Sequence, residues 1–299
     1  MIDFSSHHDV LIRNEDGTTQ PMDEPYFQAE QIAPGTWRIL SDGDYSYLLE
    51  GDDEALAIDS GYGCGNIREF CQSLTGKPVR RIANTHDHFD HTANNSYFDC
   101  AYMSAATREL ATRPFPSFAG IDFPRDYPIE VIGEGYVFHL GDRDVETFAV
   151  HNHAVGSLLF LDHRERILFS GDELIPGFFA IKTPLDNVIA LLEKFQRLEQ
   201  RCDRIFGGAG LVEKGLAGRY LEAVRYLMDG HWEEGEPPPP RPLWAPPKDG
   251  PVIFDRRAAR PCDMPAPGDE APYQRTLNYH GCVMFYDIRL GEKQDAVTA

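Results

Sequence analysis

The feature that most restricts this chain is the stretch THDHFDH at residues 85–91, which directly follows the apolar segment VRRIAN. That segment predicts a β-strand, and if the chain stays extended beyond it, His86, His88 and Asp90 lie on one side. His91 comes one residue later, where a helix can begin and turn its ring to the same side. Neutral imidazoles suit zinc, and a carboxylate adds charge and orients bound water. The spacing therefore favours a metal site over the alternative, a solvated polar loop.

The segments around this stretch predict alternating strands and helices. Strands are predicted for TWRIL, YSYLLEG, EALAID, VRRIAN and RIFGG and, as one antiparallel sheet, for DVETFAVHNH, GSLLFLDH and RILFSGDE. Helices are predicted for NIREFCQSL and for about residues 186–201 and 213–228. The tract GEPPPPRPLWAPPKDGP follows, and its prolines remove backbone donors and stiffen the chain. The tail YQRTLNYHGCVMFYDIRL regains strand character.

These patterns divide the chain into three parts. Residues 1–24 are predicted to form an N-terminal arm, residues 25–232 a single domain, and residues 233–299 a proline-rich linker with a C-terminal extension. The extension carries aromatic side chains whose apolar surface is expected to be buried against another part of the chain or a partner. We expect it to act as a lid over the site or as a contact in a homodimer.

Four motifs resemble those of one known family. The pattern HxHxDH is the defining loop of the metallo-β-lactamase superfamily, and three further segments between about residues 25 and 230 resemble that family in the same order. They are LLEGDDEALAIDSGYG with Asp59 and Gly61, NHAVGS with His153, and FSGDE with Asp172. The resemblance implies an α/β fold of four layers, αββα, followed here by the C-terminal extension.

The resemblance also implies a role for each matching residue. A first metal ion would have three imidazole ligands, and a second would have a carboxylate and an imidazole, with one aspartate bridging both. These residues are His86, His88 and His153, then Asp90 and His91, then Asp172. Asp90 is the expected catalytic residue, which would orient the attacking water and carry its proton to the leaving group. The implied cofactor is a divalent metal, Zn²⁺ in the first place, at one or two ions per chain, with Fe or Mn as alternatives.

The ligand set of the second ion lacks one member. In this family it usually ends on a histidine in a GHG-like turn, but the matching segment RIFGGAG has Ala209 at that place. A methyl group cannot bind metal, and no histidine lies between His163 and His231. Three alternatives stay open: a weak or empty second site, a water that completes the shell, or a distant residue. For the distant residue we name His280, and after it His231, each of which could equally be a surface or packed histidine.

Charge and composition narrow the class of partner. The chain has 28 Lys and Arg against 48 Asp and Glu, a formal charge of −20, which repels nucleic-acid phosphates and anionic membranes. The N-terminus shows no leader pattern, the longest apolar run is the short LLFL, and the six cysteines form no CxxC. We predict a cytoplasmic protein that acts on a small-molecule substrate, without nucleic-acid or membrane partners.

The family includes lactonases, thioesterases, nucleases and oxidoreductases, so the fold alone does not choose a reaction. We predict a metal-dependent hydrolase, in which metal-activated hydroxide attacks a small-molecule ester, thioester or lactone. One alternative is a mononuclear iron oxidoreductase of the persulfide dioxygenase type. The other is a degenerate, non-catalytic metal-binding protein, which Ala209 would favour. Metal content and oxygen consumption distinguish the three.

Overall fold

The computed structural model of the protein describes residues 10–13, 18–21, 27–41, 44–61, 66–112, 125–238, 252–255 and 273–290. The strands in these ranges are β1 (Val10–Arg13), β2 (Thr19–Pro21), β3 (Gln28–Ala33), β4 (Thr36–Ser41), β5 (Asp44–Glu50), β6 (Ala55–Ile58), β7 (Val79–Ala83), β8 (Cys100–Met103), β9 (Ile129–Val131), β10 (Val137–His139), β11 (Asp144–Ala149), β12 (Leu158–Asp162), β13 (Ile167–Phe169), β14 (Phe179–Ala180), β15 (Arg204–Gly207), β16 (Gly210–Val212), β17 (Val252–Asp255), β18 (Gln274–Tyr279) and β19 (Cys282–Asp287). The helices are α1 (Ile67–Leu74), α2 (Phe89–Thr92), α3 (Ala105–Ala111), α4 (Leu185–Glu199) and α5 (Leu216–Met228). None of these helices is long and apolar enough to cross a membrane.

Two large sheets form the centre of the fold. The first has seven strands in the order β3-β4-β5-β6-β7-β8-β9, and the second has six in the order β10-β11-β12-β13-β15-β16. Strands β11, β12 and β13 pair antiparallel, which confirms the sheet predicted for them, and β15 adds to β13 in parallel. Two three-stranded sheets accompany them, β17-β1-β2 and β14-β19-β18.

Within the described residues, alternating side chains of the strands supply three separate apolar cores. In β12, Phe160 faces the core between the two sheets, whereas Leu159 packs beneath α4 and α5. In β5, Leu49 faces the same central core, whereas Leu48 packs on the side that carries α1 and α3. Because successive side chains of a strand point to opposite faces, each sheet is buried on both sides. Three cores between four layers are the αββα arrangement, so the predicted fold class is confirmed.

The C-terminal extension is built into this arrangement where the structure describes it. Strand β19 pairs with β14 and β18, and its Met284 and Tyr286 are at most 1% exposed, within the core that includes α4 and α5. Residues 273–290 thus share a core with the predicted domain, although the sequence suggested a division near residue 232. Most of the predicted proline-rich linker, residues 239–251, lies outside the described residues, as does most of the predicted N-terminal arm.

A buried arginine ties the two large sheets together at one end. The Arg143 guanidinium donates to both carboxylate oxygens of Asp162, at 3.1 and 2.6 Å. It also donates to the carbonyl oxygens of Gly35 and Glu50, at 2.7 and 3.0 Å. Asp162 ends β12 in the second sheet, while Gly35 and Glu50 belong to the first. Both charged side chains are fully buried, so each depends on the other for compensation.

The substitution Arg143→Met should therefore destabilise the fold by about 3–5 kcal/mol, because it leaves the Asp162 carboxylate buried and unpaired. Arg219→Met is the matched control, since the ion pair of Arg219 with Glu213 is 43% and 73% exposed and such pairs contribute under about 1 kcal/mol. Urea unfolding followed by circular dichroism gives both free energies. Equal losses in the two variants would contradict this role of Arg143.

Candidate metal centre

The predicted metal loop leaves the first sheet at the end of β7 and enters α2. His88 has extended backbone (φ −60°, ψ 148°) and is the residue before the helix, and His91 lies within the helix, as the sequence predicted. Two buried side chains hold this turn. Asn84 donates to the carbonyl oxygen of His91 at 2.8 Å, and Thr92 donates to that of His88 at 2.9 Å. The loop is thus fixed by its own polar contacts.

Three predicted ligands meet at one point. Nδ1 of His88 lies 3.0 Å from Nε2 of His153, and the His86 ring centroid lies 4.5 Å and 4.9 Å from those of His88 and His153. One nitrogen from each ring lies within 4.8 Å of the others. His86 is 1% exposed, yet its Nε2 has no hydrogen-bond partner. Buried polar atoms are nearly always partnered, so this arrangement fits a cation bound between the rings.

The electrostatic environment keeps these three rings neutral. Burial, and then the nearby His91, lowers the pKa of His86 well below its usual value. Burial, and then His153, does the same to the pKa of His88. Burial lowers the pKa of His153 to about 4, although Asp172 acts in the opposite direction. Neutral imidazoles have the free lone pairs that metal binding requires.

A second group adjoins the first through Asp172. Its Oδ2 lies 3.8 Å from Nε2 of His153, and its Oδ1 lies 3.7 Å from Nε2 of His91. His91 Nε2 is also 3.9 Å from Oδ2 of Asp90. Nε2 of His91 and Oδ1 of Asp172 are buried without hydrogen-bond partners. Asp172 therefore lies where a carboxylate can serve both groups, and the unpartnered atoms fit a second cation.

In this second group, the His91 ring and the neighbouring carboxylates shift each other's pKa values. Burial alone would lower the pKa of His91, but Asp59, Asp172 and Asp90 together raise it well above its usual value. Burial would raise the pKa of Asp172, but His91, followed by His153, lowers it. Without a cation, a charged His91 ring compensates the carboxylates, which is the electrostatic role that a bound metal ion would take over.

Asp59 orients the metal loop from the neighbouring strand. It follows β6 with a φ of +59°, and its carboxylate accepts hydrogen bonds from the backbone N–H and the hydroxyl of Thr85, at 2.8 and 2.7 Å. Its Oδ2 lies 2.9 Å from Nδ1 of His91. This contact leaves Nε2 as the nitrogen that faces Asp90 and Asp172. The family resemblance marked Asp59, but the sequence did not show which groups it contacts.

Glu173 positions the loop of His153, and the sequence analysis missed it. Its buried carboxylate accepts the backbone N–H groups of Asn152, His153 and Ala154, at 3.3, 3.0 and 3.3 Å. Lys182 holds the same loop from outside by donating to the His153 carbonyl oxygen at 3.1 Å. The only sequence signal for Glu173 is its place beside Asp172, which does not indicate partners twenty residues away.

The structure does not bring His280 or His231 to the centre. His280 is exposed in the turn between β18 and β19, and its ring lies 4.5 Å from that of Tyr279, which packs on Tyr226 of α5. His231 stacks on the other side of this cluster, 3.8 Å from the Tyr226 ring, and its Nδ1 is 2.8 Å from Glu234. His231 thus packs on α5 and His280 lies in an exposed turn, and neither belongs to a described group of metal-capable side chains. The prediction of His280 as replacement ligand is not supported.

The turn predicted to hold the last ligand carries no donor side chain. Ala209 is exposed, and the residue that lies against the centre is Gly208. A Cβ atom on Gly208 would lie 2.1 Å from Oδ1 of Asp172 and 3.2 Å from Cε1 of His91. The backbone itself therefore occupies this side of the centre, and it leaves room for no larger residue at 208.

A small cleft with an apolar wall opens beside the metal centre. The residues that line it are Asn152, His153, Asp172, Glu173, Ile175, Phe178, Phe179 and Ala180. Phe178 is 38% exposed, and its ring lies 5.7 Å from that of Phe285 in β19. The N–H of Ile181 donates to the Phe285 carbonyl oxygen at 2.8 Å. The described part of the C-terminal extension thus contacts the wall of this cleft through Phe285.

Known proteins resemble this chain in sequence and in fold. The profile of the metallo-beta-lactamase superfamily matches residues 42–279. Acyl-coenzyme A thioesterase MBLAC2 of Gallus gallus is 28% identical over 203 residues, 58% of this chain and 71% of that protein. Atrochrysone carboxyl ACP thioesterase of Aspergillus fumigatus is 26% identical over 212 residues, 66% of this chain and 62% of that protein. A B3 metallo-beta-lactamase with an active-site glutamic acid matches the fold with a TM-score of 0.53 at 18% identity, covering 69% of this chain and 90% of the other.

The substitution Asp59→Asn should weaken metal binding about 10- to 100-fold, because the neutral amide cannot accept all three hydrogen bonds that orient Thr85 and His91. Chelator competition gives the affinity, and circular dichroism checks that the variant is folded. Asp53→Asn, at an exposed position in the turn before β6, is the control and should bind as the unsubstituted protein does. An unchanged affinity in Asp59→Asn would refute this role.

Proposed function

We propose that this chain, which belongs to the metallo-beta-lactamase superfamily, is a metal-dependent hydrolase that cleaves acyl thioesters. The observation that carries the proposal is the meeting of three neutral histidines with Asp172, where buried nitrogen and oxygen atoms lack hydrogen-bond partners. Two similar proteins, one from a bird and one from a fungus, are named as thioesterases, which supports the thioester among the predicted substrates.

Two sets of side chains would hold the metal. His86, His88 and His153 would bind the first ion, and Asp90 and His91 would contribute to a second. Asp172 lies between the two groups and would contact both ions. When bound, a divalent cation polarises the acyl carbonyl and makes water a nucleophile near neutral pH.

Asp90 is placed to handle the proton of the attacking water. Its carboxylate is 2% exposed and lies beside His91 at the centre. An ionised carboxylate accepts a hydrogen bond from water, orients it and takes up its proton. A thiolate leaving group needs little help from an acid, because the pKa of a thiol is about 8.5. One carboxylate is therefore enough for a thioester, whereas an alkoxide leaving group would need a stronger proton donor.

The cleft wall supports an acyl substrate. Ile175 and Phe178 line the same cleft as His153 and Asp172 and are not fully buried, so a carbonyl at the centre would have its alkyl chain beside apolar surface. Burial of each methylene contributes about 0.8 kcal/mol. The wall would thus favour acyl groups longer than acetyl. Glu173 would keep His153 in place while the chain binds.

The substitution His86→Ala should remove the first ion and reduce thioester hydrolysis to the background rate, since the site loses its most buried imidazole. Release of thiol from octanoyl-coenzyme A measures the activity, and inductively coupled plasma mass spectrometry measures metal per chain. His139→Ala is the control, because that side chain is 74% exposed and stands at the end of β10, outside the predicted ligand set. Full activity in His86→Ala would contradict a metal-dependent reaction.

A matched panel tests the thioester itself. Octanoyl-coenzyme A, an octanoyl oxoester and γ-octalactone each present an eight-carbon acyl group and differ in the leaving group. We expect the highest kcat/KM for the thioester. Rapid hydrolysis of the lactone or oxoester with no thioester turnover would be consistent with a metallohydrolase but would refute the thioester as its substrate. Oxygen consumption with bound iron would instead support the oxidoreductase alternative.

The substitution Phe178→Ser should lower kcat/KM for octanoyl-coenzyme A about tenfold and leave acetyl-coenzyme A nearly unchanged. A loss of about 1.4 kcal/mol of apolar contact gives that factor. Val131→Ser, at an exposed position on the edge strand β9, is the control. Equal losses for both substrates would show that Phe178 supports the fold rather than the acyl chain.

A further inference from the structure

The missing histidine leaves the second group of ligands one member short on the side of the turn between β15 and β16. That side is filled by the backbone at Gly208, against Asp172 and His91. A replacement ligand must therefore come from a neighbouring element that reaches the same point. Strand β5 is such an element, because the N–H of Tyr45 donates to the Gly208 carbonyl oxygen at 2.8 Å.

Asp44 is the residue that begins β5 at this contact. Its side chain is buried, with 3% of its surface exposed. One of its carboxylate oxygens, one of Asp90 and one nitrogen of His91 all lie within 4.8 Å of one another. Asp44 thus lies beside the two predicted ligands of the second ion.

His91 gives an independent indication that a ligand belongs here. Its ring is 0% exposed, and its Nδ1 is taken by Asp59 at 2.9 Å. Its Nε2 points between the carboxylates and has no hydrogen-bond partner. A buried nitrogen in this position fits a cation held jointly with the neighbouring carboxylates.

We propose that Asp44 replaces the missing histidine and completes, with Asp90, His91 and the shared Asp172, a second cation site rich in carboxylates. This inference rests on the metal-dependent function proposed above. The first site has three imidazoles, which suit zinc, whereas the second has mainly carboxylate oxygens, which suit harder ions such as Mn²⁺. The two sites therefore differ in the metal ion that they prefer. The chain binds Zn²⁺ at the first and Mn²⁺ at the second.

The test uses the full chain, stripped of metal and reloaded with one Zn²⁺ per chain. Mn²⁺ is then titrated in, and the electron paramagnetic resonance signal of free Mn²⁺ gives the affinity and number of sites. We expect one Mn²⁺ per chain for the unsubstituted protein. Asp44→Asn should retain its Zn²⁺, which shows that the centre is folded, while its Kd for Mn²⁺ rises at least about tenfold. Asp186→Asn, at an exposed position in α4, is the control and should leave the Kd unchanged.

The outcomes separate the two proposals. If Asp44→Asn binds Mn²⁺ as tightly as the unsubstituted protein, or if the latter binds Zn²⁺ but no Mn²⁺, the role of Asp44 is overturned and the first site stands. If the unsubstituted protein binds neither metal, the proposed function fails as well. A loss of Mn²⁺ binding confined to Asp44→Asn supports the inference.

Discussion

The contacts of one carboxylate set the geometry of the whole centre. Asp59 directly follows β6 of the first sheet. It accepts hydrogen bonds from the N–H and the hydroxyl of Thr85, and its Oδ2 lies 2.9 Å from Nδ1 of His91. Because Thr85 and His91 begin and end the metal loop, Asp59 joins the two ends and directs the His91 ring, while Asn84 and Thr92 hold the turn between them. Backbone with a φ of +59° is unfavourable for most residues, and the three contacts compensate for it.

The centre gathers more negative charge than a protein interior normally holds. Asp44, Asp59, Asp90 and Asp172 are all at most 8% exposed. Isolated buried carboxylates are costly, so they require cations or hydrogen-bond donors close by. His91 supplies part of the compensation in the protein alone. Divalent cations would add to this compensation, so the same carboxylates would favour metal binding.

The contacts that stabilise the two sheets and the side chains of the metal centre lie in different parts of the fold. Arg143 joins the two sheets at one end, where both members of its ion pair are excluded from water. At the metal centre, the polar atoms are held by strand ends and loops, and several of them lack partners. The C-terminal extension adds a third support, since β19 packs behind the wall that carries Phe178. A rigid frame of this kind can hold poorly satisfied polar atoms in place.

The sequence by itself determined many of the elements and the local ligand group, and its motifs implied the layered fold through a family resemblance. Strand alternation gives both faces of β5 and β12, and the HxHxDH spacing places its side chains on one side of a short loop, because these relations depend only on residues nearby in the chain. His153 and Asp172 were found through their motifs. Only the tertiary structure showed that Glu173 holds the His153 loop, that His280 lies in an exposed turn beside Tyr279, and that Asp44 lies beside His91. These relations depend on which strands lie side by side: the hydrogen bond from Tyr45 to Gly208 joins positions far apart in the chain, and no local pattern encodes that pairing.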